Sequence, residues 1–282
     1  MMVIEPVAIT DGVLIASSVP ENDFPEWSAG TTYALGDRVI KAAAHRIYES
    51  AANGNLGNDP ANPASVQWFA LSPTNRWSMF DEALGAPTAA DGAISVTLAP
   101  GEVDSVAVVL PVADTVRVEV LQGSLAVYNE VQDVPAGTGK TVLTFLDLPK
   151  VGPVQVVVTL EGAGDVSVGE VVVGTLLDLG ETEASPTIGI ADYSKRTTDE
   201  YGVTTIKVRD WAKTMTLRTK LASDVVDDVT TRVAALRARP AVWIGEEGFE
   251  SLTIYGFYKS FSIDLALPSI SFASFSVEGL AA

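Results

Sequence analysis

Short apolar runs that alternate with polar positions, each closed by Gly, Pro, Asn or Asp, recur along most of the chain. In TVRVEVLQ, Val116, Val118 and Val120 alternate with Arg117 and Glu119, the period of a strand with one buried and one wet face. AISVTLAP, SVAVVLP, LAVYNEV, TVLTFLDLP, VQVVVTLEG and DVSVGEVVVGTLL repeat that rhythm at the spacing of an antiparallel sandwich. Around 155–173 valines fill both parities, which predicts strands covered on both faces or lying at a partner interface. One segment, SDVVDDVTTRVAALRARP, has a helical period: Val225, Val229, Val233 and Leu236 make a single stripe. Ser223 or Asp224 can cap its start, Asp227 and Asp228 suit the early turns, Arg232, Arg237 and Arg239 the late ones, and Pro240 stops it, so a helix over 224–238 is expected. Before it, TIGIADYSKRTTDEYGVTTIKVRDW reads as an irregular arm running into a strand. After it, the alternation of Phe261, Ile263, Leu265 and Leu267 loses phase near Ser274, as at a bulge.

Near the start, WSAGTTYALGDRVIKAAAHRIYES concentrates aromatics around a Gly36-Asp37 turn, and NGNLGNDPANPASVQW is too rich in Gly, Pro and Asn to be other than loop before a closing strand. The expected organisation is an N-terminal arm (1–25), a small aromatic module (26–72), a connector (73–92), a sandwich (93–180) and a C-terminal β domain (181–282). The connector carries Trp77, Met79 and Phe80, read as a hydrophobic cover for the next domain. The fold class is mainly β: a small aromatic β module, a jelly-roll-like β-sandwich, and a C-terminal β-barrel-like domain with one packed helix.

Composition narrows the chemistry. With 282 residues, 47% of them hydrophobic, the chain has room for two or three cores. No Cys and a single His, His45, leave no thiolate or His-rich metal site, and no cofactor is expected. The formal charge of −18 opposes a phosphate backbone, so nucleic acid is not an expected partner. No secretory pattern opens the chain and no segment is apolar enough to span a bilayer, so synthesis in the cytoplasm without membrane insertion is expected. Of the 18 basic residues, 11 fall in 181–282, which sets that third apart and allows electrostatic register between neighbouring subunits.

Motifs for catalysis fail. AGTGKT lacks the first Gly of a phosphate loop, Val134 standing in its place, and Gly137 and Gly139 read as a hairpin turn. His45 is the only base available to a triad, and no G-x-S-x-G elbow accompanies it. Asp81-Glu82 and Asp227-Asp228 are adjacent rather than opposed and read as solvated or capping residues, and NGNLGNDP lacks the order of an EF-hand. No catalytic and no metal-binding residue is nominated, and the chain is not expected to be an enzyme.

Three resemblances add to this. Trp27, Tyr33, Gly36-Asp37, Val39, Tyr48, Gly57, Pro60 and Trp68, in that order, resemble the type 5/12 carbohydrate-binding modules. That resemblance implies that Trp27, Tyr33, Tyr48 or Trp68 stacks on sugar rings. The strands ending in VSVGEVVVG resemble galactose-binding-like jelly rolls. Asn75 to Phe80, Asp192 to Ser194 with Thr198 to Gly202, Ile254 to Gly256 and Glu278-Gly279-Leu280 resemble a family of tailed-bacteriophage virion proteins. The strand, helix and returning strands are similar to the β-barrel-plus-helix unit with which tail tubes and distal tail proteins form rings. The implied role is a structural component of the tail tip or baseplate, resident in the virion tail, with copies of itself, other tail proteins and host surface polysaccharide as partners. The alternatives are a carbohydrate-binding adsorption protein, as a fibre or head decoration, and an accessory module of a polysaccharide-active enzyme.

Overall fold

A computed structural model describes residues 1–135, 141–152, 154–265 and 268–281. Gly137, Gly139 and Leu267 therefore lie outside the described residues. The chain opens with strands β1 (Met2–Pro6) and β2 (Leu14–Ser17). The small module follows with β3 (Thr32–Tyr33), β4 (Arg38–Lys41), β5 (Arg46–Ser50), β6 (Asn55–Leu56) and β7 (Trp68–Pro73). Then come β8 (Thr88–Leu98), β9 (Ser105–Val109), β10 (Thr115–Gln122), β11 (Leu125–Asp133), β12 (Val142–Phe145), β13 (Gln155–Val168) and β14 (Glu170–Asp178). The last part holds β15 (Glu181–Thr182), β16 (Thr187–Asp192), β17 (Lys195–Thr198), β18 (Thr204–Lys207), β19 (Trp211–Ala222), the helix α1 (Val226–Ala235), β20 (Ala241–Ile244), β21 (Thr253–Asp264) and β22 (Ile270–Gly279). The protein is mainly β with one short α-helix among the described residues, as the alternation predicts.

Two sheets carry the body. A five-stranded antiparallel sheet runs β11-β10-β13-β8-β2. A curled sheet runs β12-β9-β14-β1-β20-β21-β22-β19-β15, with β16 also on β19. Inner residues of the first, among them Val96, Val118 and Val158, pack on Val106, Val108, Val171 and Val173 of the second. Coverage on both faces holds for β14, where residues 170–174 are all buried. In β13, Val156, Val158 and Leu160 are buried while Val157 and Thr159 are half-buried.

The strand β1, inside the segment read as an arm, joins the sandwich to the C-terminal part. It pairs with β14 on one side and β20 on the other. Val3 and Ile4 are both fully buried on opposite faces: Val3 meets Leu177 and Trp243 in the core under α1, and Ile4 meets Val172, Val242 and Tyr255 inside the curl. Glu5, on the face of Val3, is bound by the Arg232 guanidinium of α1, Nε lying 3.1 Å from Oε2. Gly174 lies opposite Pro6, and a Cβ there would stand 2.0 Å from the Glu5 carbonyl oxygen, so only glycine lets β1 approach this closely.

The helix is shorter than its pattern. Residues 223–225 form a 3₁₀ turn and α1 ends at Ala235. Because a 3₁₀ turn rotates farther per residue, Val225 swings out to 42% exposure, and Val226 with the buried Val229, Val233 and Leu236 takes the inner stripe. No side chain caps the start; Ser223 Oγ pairs with Ser271 Oγ at 2.8 Å instead. The expected bulge near Ser274 is also displaced. Strand β22 pairs with β19 in unbroken register, and the irregularity lies in β21 between Tyr258 and Ser260. The apparent phase loss comes from Phe272, half-buried with Arg218 4.4 Å from its ring centroid, while Ser271, Ala273, Phe275 and Val277 keep one buried face.

The module is fastened to the body by His45. Its ring stacks on Trp77 of the connector at 3.9 Å, Nδ1 lies 3.1 Å from Glu21 Oε1, and Nε2 lies 3.1 Å from Asp11 Oδ1. Thr74 Oγ1 donates to the same Glu21 oxygen, and Arg76 Nε donates to the Val19 carbonyl. Replacing His45 by Ala removes a stacked pair of about 1 kcal/mol. The expected result is roughly fivefold faster limited proteolysis near residue 74, with little change in the melting of the body; unchanged cleavage would show that the joint does not depend on this ring.

Candidate functional site

The four aromatics named as sugar contacts fall into two groups. Tyr33, Tyr48 and Trp68 are 8%, 6% and 6% exposed and, with Val39, form the core of the module. Tyr33 packs edge-on against Trp68 at 5.1 Å, and Trp68 Nε1 donates to the Asn58 carbonyl at 2.9 Å. A module this small, without disulfides, needs its rings for its core. Trp27 alone is half-buried, packed on that core, and Lys41 Nζ sits 4.3 Å from its ring centroid. Lys41 also binds Asp59 Oδ2 at 3.0 Å, a bond that, with the Ala61 amide, holds the Asp59 carboxyl below its usual range. A sugar stacking on that face of Trp27 would have to displace the ammonium. The apolar groups that the module does present are Leu35, Leu56, Val66, Phe69 and Leu71.

The larger exposed feature is the segment read as an irregular arm, which is a regular β structure. Strand β16 pairs with β19 over Thr187–Asp192, and β17 pairs with β18 from Lys195↔Lys207 to Thr198↔Thr204. Asp199 builds the turn: its Oδ1 accepts from the amides of Tyr201 and Val203, and Gly202 takes a φ of 81°. Thr198 and Thr204 pair through their hydroxyls at 3.0 Å. At the base, the Tyr193 hydroxyl donates to Glu278 Oε1 at 2.6 Å, which, with Lys259, holds the Glu278 carboxyl below its usual range. Every residue of β17 and β18 is exposed, and none belongs to a core.

On this arm Tyr201 is 83% exposed, Val208 81%, and Ile190, Val203 and Ile206 are exposed as well. A two-stranded hairpin is marginal by itself in water, and this one carries a concentration of exposed apolar groups. Its charge differs from that of the body. Residues 193–209 carry Lys195, Arg196, Lys207 and Arg209 against Asp199 and Glu200, a net +2, which leaves −20 on the rest of a chain of −18. The signal for the hairpin was present in the sequence: β-branched KRTT and TTIK flank the turn DEYG.

Among the described residues no helix is long and apolar enough to cross a membrane. No family model matches this chain, and neither a curated protein nor a solved structure matches it.

Proposed function

We propose that this chain is a structural component of a tailed-phage tail, at the tip or baseplate, that multimerises by laying its 193–209 arm on a neighbouring copy. The observation that supports multimer formation best is the arm itself: ordered, uncovered, apolar at Tyr201, Val203, Ile206 and Val208, and basic beside a body of −20. Charge complementarity then sets register, while the apolar groups supply the contact. Closed symmetry limits such head-to-tail contacts to a ring. The place in the tail rests on the likeness of Asn75 to Phe80, Asp192 to Ser194 and Ile254 to Gly256 to tailed-phage virion proteins. In this reading the small module is an appendage, and host polysaccharide is a ligand to be tested through Trp27.

The test replaces Lys195–Lys207 by a short Gly-Ser turn and measures mass by light scattering. The full chain is expected to be a multimer that loosens with salt over the range where exposed charges are screened. The shortened chain is expected to be monomeric with unchanged circular dichroism, since the arm adds nothing to a core. A multimer that survives the deletion sinks the role of the arm. Immunogold on purified particles tests the place separately: label away from the tail overturns the tail reading.

A further inference from the structure

Strand β14 begins with a lone acid among valines, VSVGEVVVG. Glu170 points to the same side as Val172, into the curl of the large sheet, and is only 4% exposed. Its Oε2 has no hydrogen-bond partner. It lines a cavity of about 180 Å³ between the N-terminal segment, the connector and the C-terminal strands. Asp81 and Glu82 of the connector line the same cavity, so the adjacent acids read as solvated or capping in the sequence face a third carboxyl. The remaining wall is largely apolar, from Ile9, Phe80, Val172 and Pro240, with Tyr255 of β21 beside them.

The charges around Glu170 are unbalanced. The Arg239 guanidinium is bound to Glu82 Oε1. Arg46 acts on Asp81, the Glu82 amide supports the Glu170 charge, and among the described residues no salt bridge reaches Glu170. Among the described residues no three His, Asp or Glu side chains are set to hold a metal ion. Carboxyls and apolar side chains lining one cavity suit a cation with a hydrocarbon stem.

We propose that this cavity is a binding site for a primary ammonium group carried on a short aliphatic stem, with Asp81 and Glu170 as its counter-ions and Phe80, Ile9 and Val172 around the stem. Burial, then Asp81 and Glu82, push the Glu170 carboxyl up to about 10, so Glu170 holds its proton at neutral pH. Tyr255 is pushed up as well, by burial and then by Glu170, and stays neutral. An incoming ammonium reverses the cause of the Glu170 shift. Glu170 then ionises, and binding releases its proton.

The probe is n-butylammonium chloride, with n-butanol and potassium chloride as controls, titrated calorimetrically into the full chain. Butylammonium is expected to bind with release of about one proton, and its affinity is expected to rise about tenfold per pH unit from pH 7 to 9. Glu170→Gln should remove that pH dependence and weaken binding at least about tenfold at high pH, and Asp81→Asn should weaken binding at every pH. Equal binding of butanol would make the cavity merely apolar, and equal binding of potassium would make it a general cation site. Either result overturns the proposal, as does affinity independent of pH in the unmodified chain or no heat at about 10 mM ligand, where a Kd near 1 mM would already saturate.

Discussion

Trp243→Ala is expected to cost about 4–5 kcal/mol, a third or more of the stability of a typical domain. Trp243 is fully buried in β20, between β1 and β21, under α1. Its ring meets Tyr258 at 5.9 Å and Phe275 at 6.3 Å, and shares a core with Val229, Val233 and Leu236. Its Nε1 donates to the Gly256 carbonyl at 3.0 Å, and truncation removes that bond at about 1 kcal/mol more. Because β1 carries Val3 in this core and Ile4 in the next, the sandwich is expected to lose stability in the same urea transition. Trp243→Phe, which keeps an aromatic ring and loses the bond, should lose roughly 2 kcal/mol. A loss under about 1.5 kcal/mol for the alanine variant, or a sandwich that melts separately and unchanged, would refute the shared core.

The residues that period alone can place were readable. Val116, Val118 and Val120 are buried between polar neighbours, and Val229 and Val233 face the sheet, because one-sided burial writes itself into the sequence. What was not readable depends on distant partners. MVIEP is too short to show a period, and its place at the seam follows from Leu177, Trp243 and Val172, more than 160 residues away. The same holds for the aromatics of the module. Trp27, Tyr33, Tyr48 and Trp68 have one composition whether they face sugar or each other; only the folded chain shows the hydrogen bond of Trp68 to Asn58 and the packing of Tyr33 on Trp68. The arm was misread because exposure on every side looks like irregular chain, whereas the β-branched pairs across an Asp-Glu-Tyr-Gly turn show a hairpin.

Glu170 left the clearest unread signal, a single acid where the pattern calls for a valine, and it carries the second large effect. Between the ordinary carboxyl value of 4.5 and about 10 the native chain holds one proton more at this position than the unfolded chain. Stability therefore falls as pH rises through that window, and below 4.5 the deficit vanishes. At pH 7 the deficit is on the order of 3 kcal/mol, since each pH unit contributes about 1.4 kcal/mol. Glu170→Gln keeps the shape and never charges, and its amide can donate to the neighbouring Asp81 carboxyl. The variant is expected to be more stable than the unmodified chain at pH 7 in urea unfolding, with an advantage that widens toward pH 9 and shrinks to near zero at pH 4.5. A difference that stays constant with pH would mean that Glu170 is not a buried proton carrier. If the advantage widens as expected, the chain carries an acid that weakens its own fold, the kind of local conflict found where stability is traded for function. The stability series and the ammonium titration thus test one carboxyl from two sides: the first asks whether the proton is there, the second what displaces it.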